Sequence, residues 1–571
     1  MPTLRARAAS ALLPLTMALG QTPPTPSAAP AAAELRRLEA QLRASAGASE
    51  RVQAAQAYRT ARVRTADLAG SFPLNALEQE LVKVIGIEKS MRAGAYRHAV
   101  GHHVVLLAPA PWLERLGPAL AETVATLDTA VVLLEDLTGC DLARARGRRL
   151  LIVFTPDHPK TTAQTLEAVV WVGMGYLTVP PTTQVLFHEL GHELFPPWNL
   201  RPRADTFNEM WPELGRQYVT WCLGQRDEFE ASRARFLTAY QDEFLRHGVP
   251  LEHLGPYDIG AGMLQSVVDA ALRRDDGYDW EPLRRFFRSV LAVPETDSFF
   301  QKQETLAFLL TEALGPRAQA PLQQAGFVLR KERQQLLPAE IASAAPLLLA
   351  VRKALDQDDA PAATKAVARL DREFPGSPWT AAAHTALAGR LMARTRTGEA
   401  LTELQRAGHI PRWQVLGPFA NAGGAGMRTG YPPEARIDLQ AGCEHDGQRL
   451  RWQAATPAAN GYVDLDARFT PNDAIVAYAY VELSSDRDRA AALWTSSDDT
   501  LAAWVNGREV VRRELPRGCF VDNERTPITL RAGRNALLLK LGDFSGGFGF
   551  TCRVTDDHDV PLPVPAAPAG R

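Results

Sequence analysis

The sequence predicts a multidomain α+β protein: a helix-rich N-terminal half with a few buried strands, a short helical spacer and a C-terminal β-sandwich of jelly-roll character. Three observations carry that reading. A chain of 571 residues is too long for one hydrophobic core. Its first half alternates short apolar runs such as RRLLIVFTP (148–156) with long segments of helical periodicity such as residues 112–137. From Trp413 onward the texture changes to short stretches of period-two alternation broken by turn residues. A composition of 46% hydrophobic and 22% charged residues describes a globular chain, and a formal charge of −2 argues against a nucleic-acid partner.

Residues 1–20 read as a secretory signal, with Arg5 and Arg7 ahead of the apolar run Ala8 to Leu19 and small residues before Gln21. This predicts an exported protein, periplasmic or extracellular. A Pro/Ala-rich linker (21–33) and an amphipathic helical stretch (34–62) follow. GHHVVLLAP, from Gly101, is expected to be a buried strand with His102 and His103 on opposite faces, unable to share a metal. EAVVWVGMGYLTV (167–179) is expected to be the last strand before the central motif, its Gly173 and Gly175 marking either a close ligand approach or a kinked core strand. No later segment reads as long and apolar enough to span a bilayer. Few cysteines for an exported chain leave one disulfide expected among Cys443, Cys519 and Cys552, with Cys140 and Cys222 as buried thiols.

The central motif is His188-Glu189-Leu190-Gly191-His192. Pro180-Pro181 stops the preceding strand, Thr182 or Thr183 can cap a helix, and Pro196-Pro197 ends it. On a helix, His188 and His192 project from one face, as two nitrogen ligands of a tetrahedral Zn²⁺ must. Glu189 then lies where a carboxylate can take a proton from a water. Gly191 would allow close packing of this helix on a neighbour. Two histidines leave one protein ligand missing, and no third histidine follows at metzincin spacing. The next segment, with Asp205 as its candidate cap, supplies Glu209 as the third ligand and Glu213, one turn on, as a carboxylate supporting a ligand histidine; the two roles could be exchanged. Pro212 requires that segment to be in its first turn there, or kinked. Tyr257 and Tyr278 are candidate oxyanion donors, though a structural role is the better reading of each.

HELGHE, the Pro-Trp after it, NEMWPELGRQYV and TEALGPRAQAPLQQAGF (311–327) together resemble the gluzincin zinc metallopeptidases, most closely the enhancin-like, mucin-degrading branch. The resemblance covers roughly residues 80–330. It implies a thermolysin-like zincin domain over 34–335, with His188, His192 and Glu209 holding Zn²⁺, Glu189 as general base, and a polypeptide or glycoprotein substrate. Such peptidases bind substrate backbone along an edge strand, which the resemblance sets in 167–179. The GxMEN motif of related aminopeptidases is replaced by GMGYL, which lacks the Glu that holds a free N-terminus and so favours an endopeptidase.

Residues 336–410 resemble tetratricopeptide-like helical hairpins, too few for a binding solenoid and therefore a spacer. Residues 411–557, with a type I′ hairpin signal at Asn506-Gly507, resemble galactose-binding-like modules, which implies either a glycan partner or a structural appendage. Trp494 and Trp504 belong either to the core or to a sugar-stacking surface. Residues 558–571 read as a disordered tail. Two functions follow: an exported zinc endopeptidase, or a catalytically silent carbohydrate- or surface-binding protein on a peptidase-like scaffold.

Overall fold

A computed structural model describes residues 29–45, 47–65, 74–140, 147–155, 163–166, 169–176, 183–194, 206–248, 257–275 and 277–562. The expected signal peptide, most of the linker, the end of the tail, Pro180-Pro181, Thr182, Pro196-Pro197 and Asp205 lie outside them. The fold is mixed α+β, with an all-antiparallel sheet region at the C-terminus.

The N-terminal sheet has the order β1-β2-β3-β5-β4, built from β1 (Tyr96–Val100), β2 (Val104–Pro109), β3 (Leu150–Thr155), β4 (Ala163–Leu166) and β5 (Val169–Gly173). β2, β3 and β5 run parallel, while β1 and β4 are antiparallel edges. Central parallel strands are covered on both faces and so read as continuous apolar runs. Here Leu106, Ile152 and Val170 face the buried helix Pro118–Thr138. Val105, Leu107, Leu151 and Val153 face Leu81 and Val82 of the helix Ala76–Val84.

Two expectations are corrected. His102 and His103 are not strand residues on opposite faces; they lie in the turn between β1 and β2, with ring centroids 4.7 Å apart. The buried Asp128 carboxylate builds that turn by accepting the backbone N–H groups of His102 (2.7 Å), His103 (2.8 Å) and Val104 (3.2 Å), and a Cβ at Gly101 would collide with it. Nor is the strand before the motif an edge. β5 is flanked by β3 and β4, Gly173 ends it buried, and Gly175 lies in a 3₁₀ turn. The edge role passes to β4, against which the helix Thr183–Leu194 packs.

Among the described residues, one helix (Lys331–Asp356) has the length and hydropathy of a membrane span, and one sharply bent pair (Ala110–Leu116 with Pro118–Thr138) has them jointly. This corrects the expectation of none, but Lys331–Asp356 packs one face into the protein core. It buries Leu337, Leu348 and Val351 together with the ion pair Arg333–Glu340 at 2.6 Å. The following hairpin of helices Ala360–Glu373 and Pro378–Ala393 joins the same core through Val367, Leu370 and Trp379.

The C-terminal region stacks a six-stranded and a four-stranded antiparallel sheet around a common core that includes Leu493, Leu539 and Phe550. Asn506 and Gly507 both have positive φ (52° and 78°), as a type I′ turn needs, between the paired strands Thr500–Val505 and Arg508–Arg513. All five cysteines are free thiols, so the expected disulfide is not formed; Cys552 is buried in the sandwich core. Trp494 is wholly buried against Phe300 of the helical half, its Nε1–H donated to Thr555 at 2.9 Å. Trp504 is half-buried beneath Arg512. Phe299 and Phe300 donate backbone N–H groups to Val521 (2.7 Å) and Asp522 (3.1 Å), and Arg330 pairs with both Glu304 and Asp559 at 2.6 Å.

Candidate metal centre

Two helices make the site. The HELGH helix (Thr183–Leu194) buries Leu186, Phe187, Leu190 and Leu194, and its His188 and His192 meet Glu209 of the glutamate helix (Thr206–Cys222). Their crossing is close because of Gly191, where an added Cβ would sit 2.7 Å from the Cα of Pro212. Pro212 is therefore not a first-turn residue but an interior one, and its ring packs where a side chain on Gly191 would be. Having no N–H, it leaves the carbonyl one turn earlier without its helical donor, at the end of the helix that carries Glu209.

The donor atoms converge. His188 Nε2 and His192 Nε2 are 3.1 Å apart, and Glu209 Oε2 is 3.2 Å from each. Four-coordinate zinc with bonds of about 2.0–2.1 Å separates neighbouring ligand atoms by about 3.3 Å. The triangle has the size of one face of such a tetrahedron. Two imidazole nitrogens this close repel unless a proton or a cation lies between them. Glu189 is 5% exposed and offers a carboxylate oxygen within 4.8 Å of both histidine donors.

Glu213 is on the other side of His188, with Oε1 3.0 Å from Nδ1. Its second oxygen accepts the Nε–H of Arg216 at 2.7 Å. Arg216 in turn reaches Ser232 (3.3 Å) and Gln184 (3.4 Å), and Gln184 accepts the Thr220 hydroxyl at 2.9 Å. Glu209 thus meets both Nε2 atoms, while Glu213 meets only the opposite ring nitrogen. Arg216 and Gln184 were not read from sequence. Arg216 was findable as the cation one turn after Glu213.

Electrostatics match this geometry. Burial opposes a charge on His188, but the Glu209 and Glu213 carboxylates prevail and push its pKa up to about 9. Burial would raise Glu209, yet the two histidines hold it down at about 2; Glu213, against the same penalty, is held at about 2 by His188 and Arg216.

Of the candidate oxyanion donors, the side chain of Tyr257 lies outside the described residues. Tyr278 is buried, donates its hydroxyl to Asp269 at 2.7 Å and stacks on Trp280, so it is committed to the core. No protein-family model matches this chain, and no curated protein matches it in sequence.

Proposed function

We propose that this chain is a zinc-dependent endopeptidase of gluzincin type on a thermolysin-like domain, exported and acting on extracellular proteins or glycoproteins. The carrying observation is the triangle of His188 Nε2, His192 Nε2 and Glu209 Oε2, with edges of 3.1, 3.2 and 3.2 Å, beside a buried Glu189. Bound zinc supplies Lewis acidity, which lowers the pKa of water and polarises a carbonyl. The protein's own groups do the rest. Glu189 accepts the proton of the attacking water and delivers it to the leaving nitrogen. The Glu213 carboxylate, 3.0 Å from His188 Nδ1, favours the tautomer that turns a free Nε2 to the metal, and Arg216 holds Glu213 in place. β4, an antiparallel edge packed on the HELGH helix, is the strand along which an extended peptide would add. The C-terminal module is a candidate glycan-binding appendage.

The test compares zinc content and casein or mucin cleavage for the wild type and Glu189→Gln. Both should hold zinc, and the variant should lose roughly 10²–10⁴-fold in rate, the usual worth of a general base. A wild type that takes up no zinc at His188 and His192, or a Glu189→Gln variant that cleaves as well as wild type, overturns the reading in favour of a catalytically silent binding protein.

A further inference from the structure

We propose a second, structural site for a divalent metal of the zinc class, formed by Glu39, His102 and His103 and separate from the HELGH cluster. The three side chains each offer a ligand atom, and all three atoms lie within 4.8 Å of one another. They come from two elements far apart in sequence: the helix Ala29–Ala44 and the β1–β2 turn.

His103 is the observation that points to a ligand. It is 7% exposed, and neither ring nitrogen has a hydrogen-bond partner. A buried imidazole without partners costs free energy that a bound ion would relieve. Its Nε2 is 3.9 Å from Glu39 Oε2, too far for a hydrogen bond; closing by about 0.6 Å would give the ligand separation of a tetrahedral ion.

The surroundings are arranged as a metal site requires. Glu39 Oε1 is engaged by Arg43 Nε (3.1 Å) and Nη2 (2.8 Å), which orients the carboxylate and leaves Oε2 facing His103. Arg43 is itself anchored to Glu135 at 2.9 Å. The three backbone N–H bonds to Asp128 hold the turn that carries both histidines, so little ordering remains to be done on binding. Arg43 is shared by Glu39 and Glu135, and Arg62 pairs with Asp128, so carboxylates surround the two histidines. His102 is exposed, which gives an ion a path in and leaves room for water as a further ligand. With no base like Glu189 among these residues, the role is to tie the helix to the sheet.

The experiment strips the full-length protein with chelator, reloads it with Zn²⁺ and counts bound metal in the wild type, His102→Ala, His192→Ala and the double variant. Two equivalents are expected in the wild type, one in each single variant and none in the double. Because His102 is exposed, His102→Ala should fold and keep its hydrolytic activity. In the His192→Ala background, zinc should raise the thermal midpoint, and that rise should vanish when Glu39→Gln is added. Two equivalents retained by His102→Ala, or a single wild-type equivalent that His192→Ala abolishes, overturns the second site and leaves the peptidase reading standing. A single equivalent lost in His102→Ala and kept in His192→Ala supports this site and sinks the other.

Discussion

The chain builds two His/His/carboxylate clusters by different means. In one, helical spacing places His188 and His192 a turn apart, and a second helix brings Glu209 to 3.2 Å from both. In the other, adjacent His102 and His103 are brought edge to face by a turn, and the gap from His103 to Glu39 stays at 3.9 Å. Helix geometry repeats itself, so a carboxylate has only to be delivered. A turn must be held from outside, here by Asp128. Loss of a support should therefore weaken the first cluster without dispersing it, whereas the second should come apart when Asp128 is removed.

The largest effect is expected at that support. Asp128→Ala removes a buried partner of Arg62 (2.9 Å to Nε) and the carboxylate that accepts three N–H groups of the turn, and loss of one member of a buried pair costs about 3–5 kcal/mol. Chemical denaturation should show that loss, and metal counting should show the Glu39 cluster emptied with the HELGH site still loaded. Gly191→Ala comes next. Overpacking against Pro212 costs about 1–3 kcal/mol, partly offset by about 1 kcal/mol of helix propensity. It should weaken zinc binding at the HELGH site by prising the helices apart, while a zinc titration leaves the turn cluster unchanged. Glu213→Gln, which keeps the shape of the support but not its charge, should lower zinc affinity about 10–100-fold by competitive chelator titration.

The smallest effect lies away from both clusters and serves as a control for histidine–carboxylate contacts with no metal role. Burial disfavours charge on His384, but Asp371 and Glu403, each 2.7 Å from a ring nitrogen, raise its pKa above the ordinary histidine value. A raised folded-state pKa contributes stability that is complete below about 6.5 and fades as pH climbs through the folded value. The midpoint difference between wild type and His384→Gln should therefore shrink from mildly acidic to alkaline pH. A difference that grows with pH would contradict the assignment.

Much of the HELGH cluster was legible in the sequence because it rests on two periodicities. The i, i+4 histidines and the Glu209/Glu213 pair share helix faces whatever the tertiary fold. The choice between Glu209 and Glu213 was not legible, since it depends on how the two helices cross, which Gly191 and Pro212 set by contact. The turn cluster was misread for a related reason. GHHVVLLAP has a strand's composition, but buried Asp128 satisfies the first N–H groups and delays the strand to Val104. Strand order likewise followed pairing partners that no local pattern encodes, so the edge fell to β4 rather than β5. In the C-terminal region, Asn506-Gly507 announced its own turn, whereas the burial of Trp494 needed Phe300 from the other half of the molecule.

The seam at Trp494 has a thermodynamic consequence. Backbone N–H groups of Phe299 and Phe300 end on Val521 and Asp522, and Arg330 is shared by Glu304 and Asp559. Separating the halves would expose an indole and orphan these groups together, so neither half has an inexpensive way to melt first. Calorimetry should record one cooperative transition for the whole chain, and a destabilising lesion in the sandwich should lower the temperature at which the distant histidine helix comes apart.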